Sequence, residues 1–150
     1  MRGRFPQFTA TAVVDQRDPT RAVVDAKIDA ASIDTGNAKR DEHLRSADFF
    51  DVASHPAITF RSTKVEPAGE RRWKLHGDLT MHGVTKAVVL DVEATPEVKG
   101  MRGETRAGAH ATTRLDRKDF GINWSKTMDG GGLLVGDEVD VTIDVEAVRK

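Results

Sequence analysis

Long runs of strict apolar–polar alternation constrain this chain more than any other feature. Between Arg72 and Met81, Trp73, Leu75, Gly77, Leu79 and Met81 fall on one side. Arg72, Lys74, His76, Asp78 and Thr80 fall on the other. A period of two sends successive side chains to opposite faces of a strand. A polar second face means that one side of the sheet meets water.

The same pattern recurs along the chain. Ala22, Val24, Ala26 and Ile28 oppose Arg21, Asp25, Lys27 and Asp29. Phe8, Ala10, Ala12 and Val14 oppose Thr9, Thr11 and Asp15. Ala57 to Glu66 reads as a strand with Ile58 and Phe60 on one face. Val84, Val88, Leu90, Val92 and Ala94 line up inward, with Lys86 as the exception. Thr105, Ala107, Ala109, Ala111, Thr113 and Leu115 form a further row, and Val139, Val141, Ile143, Val145 and Ala147 form the last. Asp18-Pro19 and Pro67-Ala68-Gly69 read as turns, and His82-Gly83 as a tight hairpin turn. Seven antiparallel strands joined mostly by short turns predict an all-β barrel or sandwich, in a single domain over residues 1–150. Strands of about ten residues exceed the usual length and favour the barrel. Small inward residues at Ala22, Ala26, Ala107, Ala109 and Ala111 leave room inside. Phe60, Trp73 and Met81 either fill that room or border a hollow.

One stretch departs from alternation: R-D-E-H-L-R-S-A-D-F-F-D-V-A-S-H-P-A-I-T-F, from Arg40 to Phe60. Asn37 is suited to cap a short helix, because its side-chain oxygen accepts from N–H groups one turn on. Leu44 gives the helix an apolar contact, and Ser46 starts a second turn toward Phe49 and Phe50. Pro56 forces His55 to be extended. A helical plug near residues 37–51, covering an open end of the sheet, is the expectation.

Composition narrows the function. The 150 residues carry a net charge of −1, so bulk charge favours neither nucleic acid nor an anionic membrane surface. There is no cysteine, which excludes disulfides and thiolate sites. No apolar run approaches the ~18 residues of a membrane helix. The start, M-R-G-R-F-P-Q-F, lacks the apolar core of a signal peptide, so a cytoplasmic location is expected.

Reactive constellations are missing. His43, His55, His76, His82 and His110 form no close ligand pair in sequence, so no metal is expected. No G-x-S-x-G is present. Asp41, Glu42 and His43 are consecutive, and consecutive helical residues do not face each other. Gly130 to Gly136 lacks the Lys-Ser/Thr of a phosphate loop; it lies in a long connection from Asp116 to Asp137, readable as a lid or as disorder. Arg40, His43, Arg45 and Arg114 are donors for an anionic head group. Interleaved Asp41, Glu42, Asp48 and Asp51 favour a solvated face of mixed charge instead.

The Arg40–Asp51 run closely resembles the signature of the YceI-like family. P-A-I-T-F-R-S-T-K at Pro56–Lys64 is similar to it as well. So are G-D-L-T-M-H-G-V-T-K at Gly77–Lys86, D-R-K-D-F-G-I-N-W at Asp116–Trp124 and V-G-D-E-V-D-V-T-I-D at Val135–Asp144. The resemblance implies an antiparallel lipocalin-like barrel of about eight strands, open at one end. Its apolar tunnel would hold a polyisoprenoid or similar long-chain lipid without catalysis. Homodimers are common in such proteins. The family pattern also includes a strand, roughly W-x-x-D-x-x-H-S-x-x-x-F, ahead of Arg2–Phe5. Its absence implies an unpaired edge, closed by the C-terminal strand or by a second chain. The expected lipid-contacting residues are Ile58, Phe60, Trp73, Leu75, Leu79, Met81, Val88 and Leu90, with Phe49, Phe50 and Trp124 gating a mouth. A rival reading is a structural or oligomerisation module built by strand pairing. A third is an enzyme in the same cavity, weakened by the missing acid–base pair.

Overall fold

The computed structural model describes residues 2–15, 17–124 and 136–148. Its strands are β1 (Phe8–Asp15), β2 (Asp18–Asp29), β3 (Ala57–Gly69), β4 (Arg72–Met81), β5 (Val84–Ala94), β6 (Val98–Lys99), β7 (Thr105–Asp116) and β8 (Glu138–Val148). One helix, α1 (Ala38–Arg45), lies between β2 and β3. Neighbouring strands are antiparallel throughout. The sheet runs β1-β2-β3-β4-β5-β7-β8, and the two-residue β6 shares with β5 the edge of β7 that β8 leaves free. Sequence periodicity finds the seven long strands and misses β6, which is too short to show a period.

The fold is an all-β, lipocalin-like antiparallel architecture curled into a half-barrel. Among the described residues β1 pairs with β2 alone and β8 with β7 alone, so the sheet has two edges. Every residue of β1 is exposed, Val13 to 74%.

Alternation decides which face is wet. Ala22, Val24, Ala26 and Ile28 of β2 are half-buried, whereas Arg21, Asp25, Lys27 and Asp29 are exposed. On β4, Leu75, Gly77 and Met81 are buried. A bulge in β3, between Ser62 and Lys64, restores the pattern after the inward Phe60 by turning Val65 inward opposite Leu75. A second irregularity lies between Pro67 and Gly69, so β3 continues to Gly69 with Pro67 opposite Trp73. The turn expected at Pro67–Gly69 therefore forms at Glu70 and Arg71, where Arg71 adopts φ 55°. Proline lacks an N–H and is accommodated in a strand beside such an irregularity.

The joint between β5 and β7 is short. It covers only Asp91–Ala94 opposite Ala109–Thr112, whereas β7 and β8 pair from Arg106↔Val148 to Asp116↔Glu138. Val84 to Leu90 therefore have β4 on one side and no ladder partner on the other among the described residues. Beside this gap lies a 3₁₀ turn at Arg117–Phe120. Phe120 (1% exposed) and Ile122 (3%) join the core formed with Met81, Leu44 and Ile58, against half-buried Val84, Val88 and Leu115. The start of the connection after β7 is thus core. Residues 125–135, including most of the glycine-rich stretch readable as a lid or as disorder, lie outside the described residues.

The plug forms much as its sequence predicts. Asn37 caps α1, its side chain accepting from the Arg40 N–H at 3.1 Å. Leu44 is buried. The second turn is not helical: Phe49 N–H donates to the Ser46 carbonyl (3.0 Å), and Phe50 N–H to the Leu44 carbonyl (3.0 Å). Phe5 meets Phe50 edge-on at 5.5 Å, while Arg4 and Asp34 exchange backbone hydrogen bonds of 2.9 Å.

Candidate functional site: the inner face of the half-barrel

The inner face carries two apolar clusters. The cluster beneath the plug contains Ala30, Ile33, Leu44, Phe49, Ile58, Met81, Phe120 and Ile122. The cluster midway along the strands contains Phe60, Leu75, Leu90 and Ala111, flanked by half-buried Val24, Ala26, Val65, Val92 and Ile143. Leu79 and Val88 touch both.

These clusters place most of the expected lipid-contacting residues. Phe49, Ile58 and Met81 are buried under the plug, and Phe50, Leu79, Val88 and Trp124 pack partly against them. Phe60, Leu75 and Leu90 are buried in the middle cluster. Trp73 belongs to neither; it is half-buried at the far end of β4, opposite Pro67 and Val92. There it lines a recess of about 350 Å³ shared with Arg72, Lys74, Asp91 and His110. A neighbouring recess of about 580 Å³ is bordered by Arg71, Glu93, His110, Asp144 and Glu146. Both have charged rims and differ from the apolar tunnel expected from sequence. Between the free edges the apolar face is a trough, with the buried side chains packed along its floor.

Lys86 keeps its exceptional position: it is exposed, opposite Leu79, between half-buried Val84 and Val88. Aromatic groups crowd the plug end. His43 meets Phe49 at 5.0 Å and Trp124 at 4.7 Å, both edge-on, and Phe49 lies 5.2 Å from Trp124.

Charge sits outside. Arg61 pairs with Asp25 (3.8 Å), Arg72 with Glu93 (3.5 Å), His110 with Asp144 (2.6 Å) and Arg114 with Asp140 (2.7 Å), all across neighbouring strands. Hydrogen bonding from Lys64, then from His76, holds the Glu66 carboxyl below its usual range. Hydrogen bonding to Asp140 raises the Arg114 guanidinium. Exposed pairs of this kind are screened by solvent and contribute little, so they mark the wet face more than they stabilise it.

The four candidate head-group donors have other partners. Arg40 donates to the Thr35 hydroxyl and carbonyl oxygens, each at 2.8 Å. Arg45 donates to the carbonyls of Ala31 (2.9 Å) and Ile33 (3.2 Å). His43 contacts Asp48 at 2.8 Å. Asp41 is buried and accepts from the Thr35 N–H at 2.9 Å and from the Thr35 hydroxyl. Residues expected on a solvated face of mixed charge instead fasten the 31–35 segment to α1. The sequence hides this, because the oxygens satisfied are backbone carbonyls.

Sequence reasoning also passes over Arg117. Its side chain is 6% exposed and donates to the carbonyls of Gly136 (2.9 Å), Ile122 (3.0 Å) and Trp124 (2.6 Å), with Asp137 at 3.5 Å. This guanidinium folds the segment after β7 back beneath the plug and carries Trp124 with it. The only available signal was its position within the D-R-K-D-F-G-I-N-W motif.

Comparison with known proteins agrees with the architecture. A family model described as the YceI-like domain matches residues 1–147. A UPF0312 protein of Azotobacter vinelandii is 40% identical over 148 residues, covering 99% of this chain and 74% of that protein. Protein YceI of Escherichia coli O157:H7 is 39% identical with the same coverage. A crystal structure of a Campylobacter jejuni YCEI protein superposes with a TM-score of 0.87 at 31% identity, covering 99% of this chain and 85% of that one. Among the described residues no helix is long and apolar enough to cross a membrane. Motif order, half-barrel topology and a match along nearly the whole sequence converge: the chain belongs to the YceI-like family.

Proposed function

We propose that the inner face of the half-barrel binds a long-chain amphipathic lipid of polyisoprenoid type, without catalysing a reaction. Family and fold support a binding-protein role. The observation that carries the lipid reading is sidedness. From Ala22 and Val24 through Phe60, Leu75, Leu79 and Leu90 to Ala111 and Ile143, the inward rows are apolar with Lys86 as an exception, while ion pairs occupy the outward face. An apolar chain gains ~0.8 kcal/mol per buried CH₂ on such a surface. A few isoprene units therefore offset a substantial association cost. Small residues at Ala22, Ala26, Ala109 and Ala111 leave width beside Phe60, Leu75 and Leu90. Phe49, Phe50, Ile58, Met81 and Trp124 would meet the lipid at the plug end, and Trp73 at the other.

Organic extraction of the purified protein followed by mass spectrometry is expected to release a long-chain amphiphile. Leu79 bridges both clusters, so Leu79→Arg is expected to abolish prenyl-lipid uptake while keeping the strand content. A protein that copurifies with no lipid and ignores added prenyl lipid defeats the reading.

A second reading, strand-paired self-association, rests on the free edges of β1 and β8. Unpaired edges offer rows of N–H and C=O groups to another strand. Sedimentation separates the two: a clean monomer at micromolar concentration that still takes up prenyl lipid leaves only the carrier.

A further inference from the structure

We propose that Asp51, His55 and His82 form a binding site for a divalent transition metal of the zinc type, outside the apolar face. One ligand atom from each residue lies within 4.8 Å of the other two, and all three residues are half-buried. The sequence concealed the cluster because His82 is distant from the other two. The fold assembles it from the loop after α1 and the tip of the β4–β5 hairpin.

Local geometry prepares each ligand. The Asp51 carbonyl accepts the His55 N–H at 2.8 Å, closing a turn that sets the two side chains four residues apart on one side. Among the described residues the Asp51 carboxylate makes no hydrogen bond or ion pair. Nδ1 of His82 lies 3.0 Å from the Phe120 carbonyl. A carbonyl only accepts, so that nitrogen carries the proton and Nε2 presents its lone pair. Orientation of a ligating imidazole by a carbonyl on its other nitrogen is a common feature of metal sites. The His55 and His82 rings meet at 5.2 Å, and a Cβ on Gly83 would stand 2.7 Å from Cε1 of His55. The absence of a side chain at Gly83 thus lets the His55 ring approach the hairpin.

Asp51 (φ 47°) and His82 (φ 56°) both lie in the left-handed region. At His82 this is the geometry of the two-residue hairpin turn with Gly83 (φ 73°), and it fixes the direction in which the imidazole leaves the chain. Two imidazoles and one carboxylate suit a borderline ion such as Zn²⁺, with a fourth position left for water. Tetrahedral ligands around zinc stand about 3.3 Å apart. A bound ion would draw the three atoms, which lie within 4.8 Å of one another, to that spacing. The bound ion would clamp the plug loop to the hairpin.

The test uses the full chain and metal alone. Co²⁺ titration followed by visible absorption is expected to give one ion per chain with the intense band of a four- or five-coordinate site, displaced by Zn²⁺. Asp51→Asn and His82→Asn tolerate the left-handed backbone, and His55→Phe keeps a ring over Gly83. Each is expected to weaken binding about tenfold or more. His110→Ala, at a surface histidine on β7, is expected to change nothing. Zn²⁺ should raise the melting temperature of the parent but not of His82→Asn. Absence of the band at micromolar protein overturns the proposal, as does affinity unchanged in all three variants that retain the fold.

Discussion

The Phe60 ring occupies the space that a side chain on Gly77 would need. A Cβ there would stand 2.4 Å from Cζ of Phe60 and 2.6 Å from the Arg61 carbonyl oxygen. Phe60 leans across β4 because its neighbour there has no side chain. Gly77→Ala is therefore expected to cost about 1–3 kcal/mol by overpacking. Urea denaturation measures it. An unchanged midpoint would mean that both the Phe60 ring and the Arg61 backbone give way at no cost.

Phe120 is the largest fully buried side chain among the described residues. It packs beside the part of β5 that has no second strand among the described residues. Phe120→Ala is expected to cost about 3–5 kcal/mol. A loss below 1 kcal/mol in the same denaturation experiment would indicate that the gap collapses without it.

Arg117→Met keeps the apolar stem and removes the cation. The carbonyls of Ile122 and Trp124 then lose their donor, and stability is expected to fall by about 3 kcal/mol. Trp124 fluorescence should shift to the red as its segment loosens. Unaltered fluorescence would show that Trp124 is held by His43 and Phe49 instead.

Asp41 links stability to pH. A hydrogen bond from the Thr35 hydroxyl is the main reason that its carboxyl titrates below the usual 3.8; burial opposes this, and the Thr35 N–H, Arg45 and Arg40 assist. A depressed folded pKa gives stability that is fully present above the unfolded value. It is lost as the pH falls from there through the folded pKa. Asp41→Asn is expected to lower the melting temperature at neutral pH and to narrow its gap from the parent in acid. Parallel melting curves down to pH values below the carboxylate range would remove Asp41 as a source.

Alternation was enough to read β2, β4 and β5 and to assign their inward rows, because a half-buried strand writes its two faces directly into sequence. It failed where geometry breaks the period. The bulge at Thr63 turns Val65 inward despite its odd spacing from Phe60, and β3 passes through Pro67 instead of turning. Phe120 and Ile122 lie in a 3₁₀ turn and a loop too short to show any period. Arg40, Asp41 and Arg45 read as solvated charges, because most of their partners are backbone groups, which have no letter in a sequence: the Thr35, Ala31 and Ile33 carbonyls for the two arginines and the Thr35 N–H for Asp41. The triangle of Asp51, His55 and His82 arises only when a hairpin tip meets a distant loop.

The short joint between β5 and β7 has a dynamic consequence. Among the described residues the ladders of β1–β5 and of β7–β8 are joined only by the rungs from Asp91 to Ala94. Amides of Val84 to Leu90 that point away from β4 have no second ladder among the described residues and should exchange with solvent ahead of those in β4.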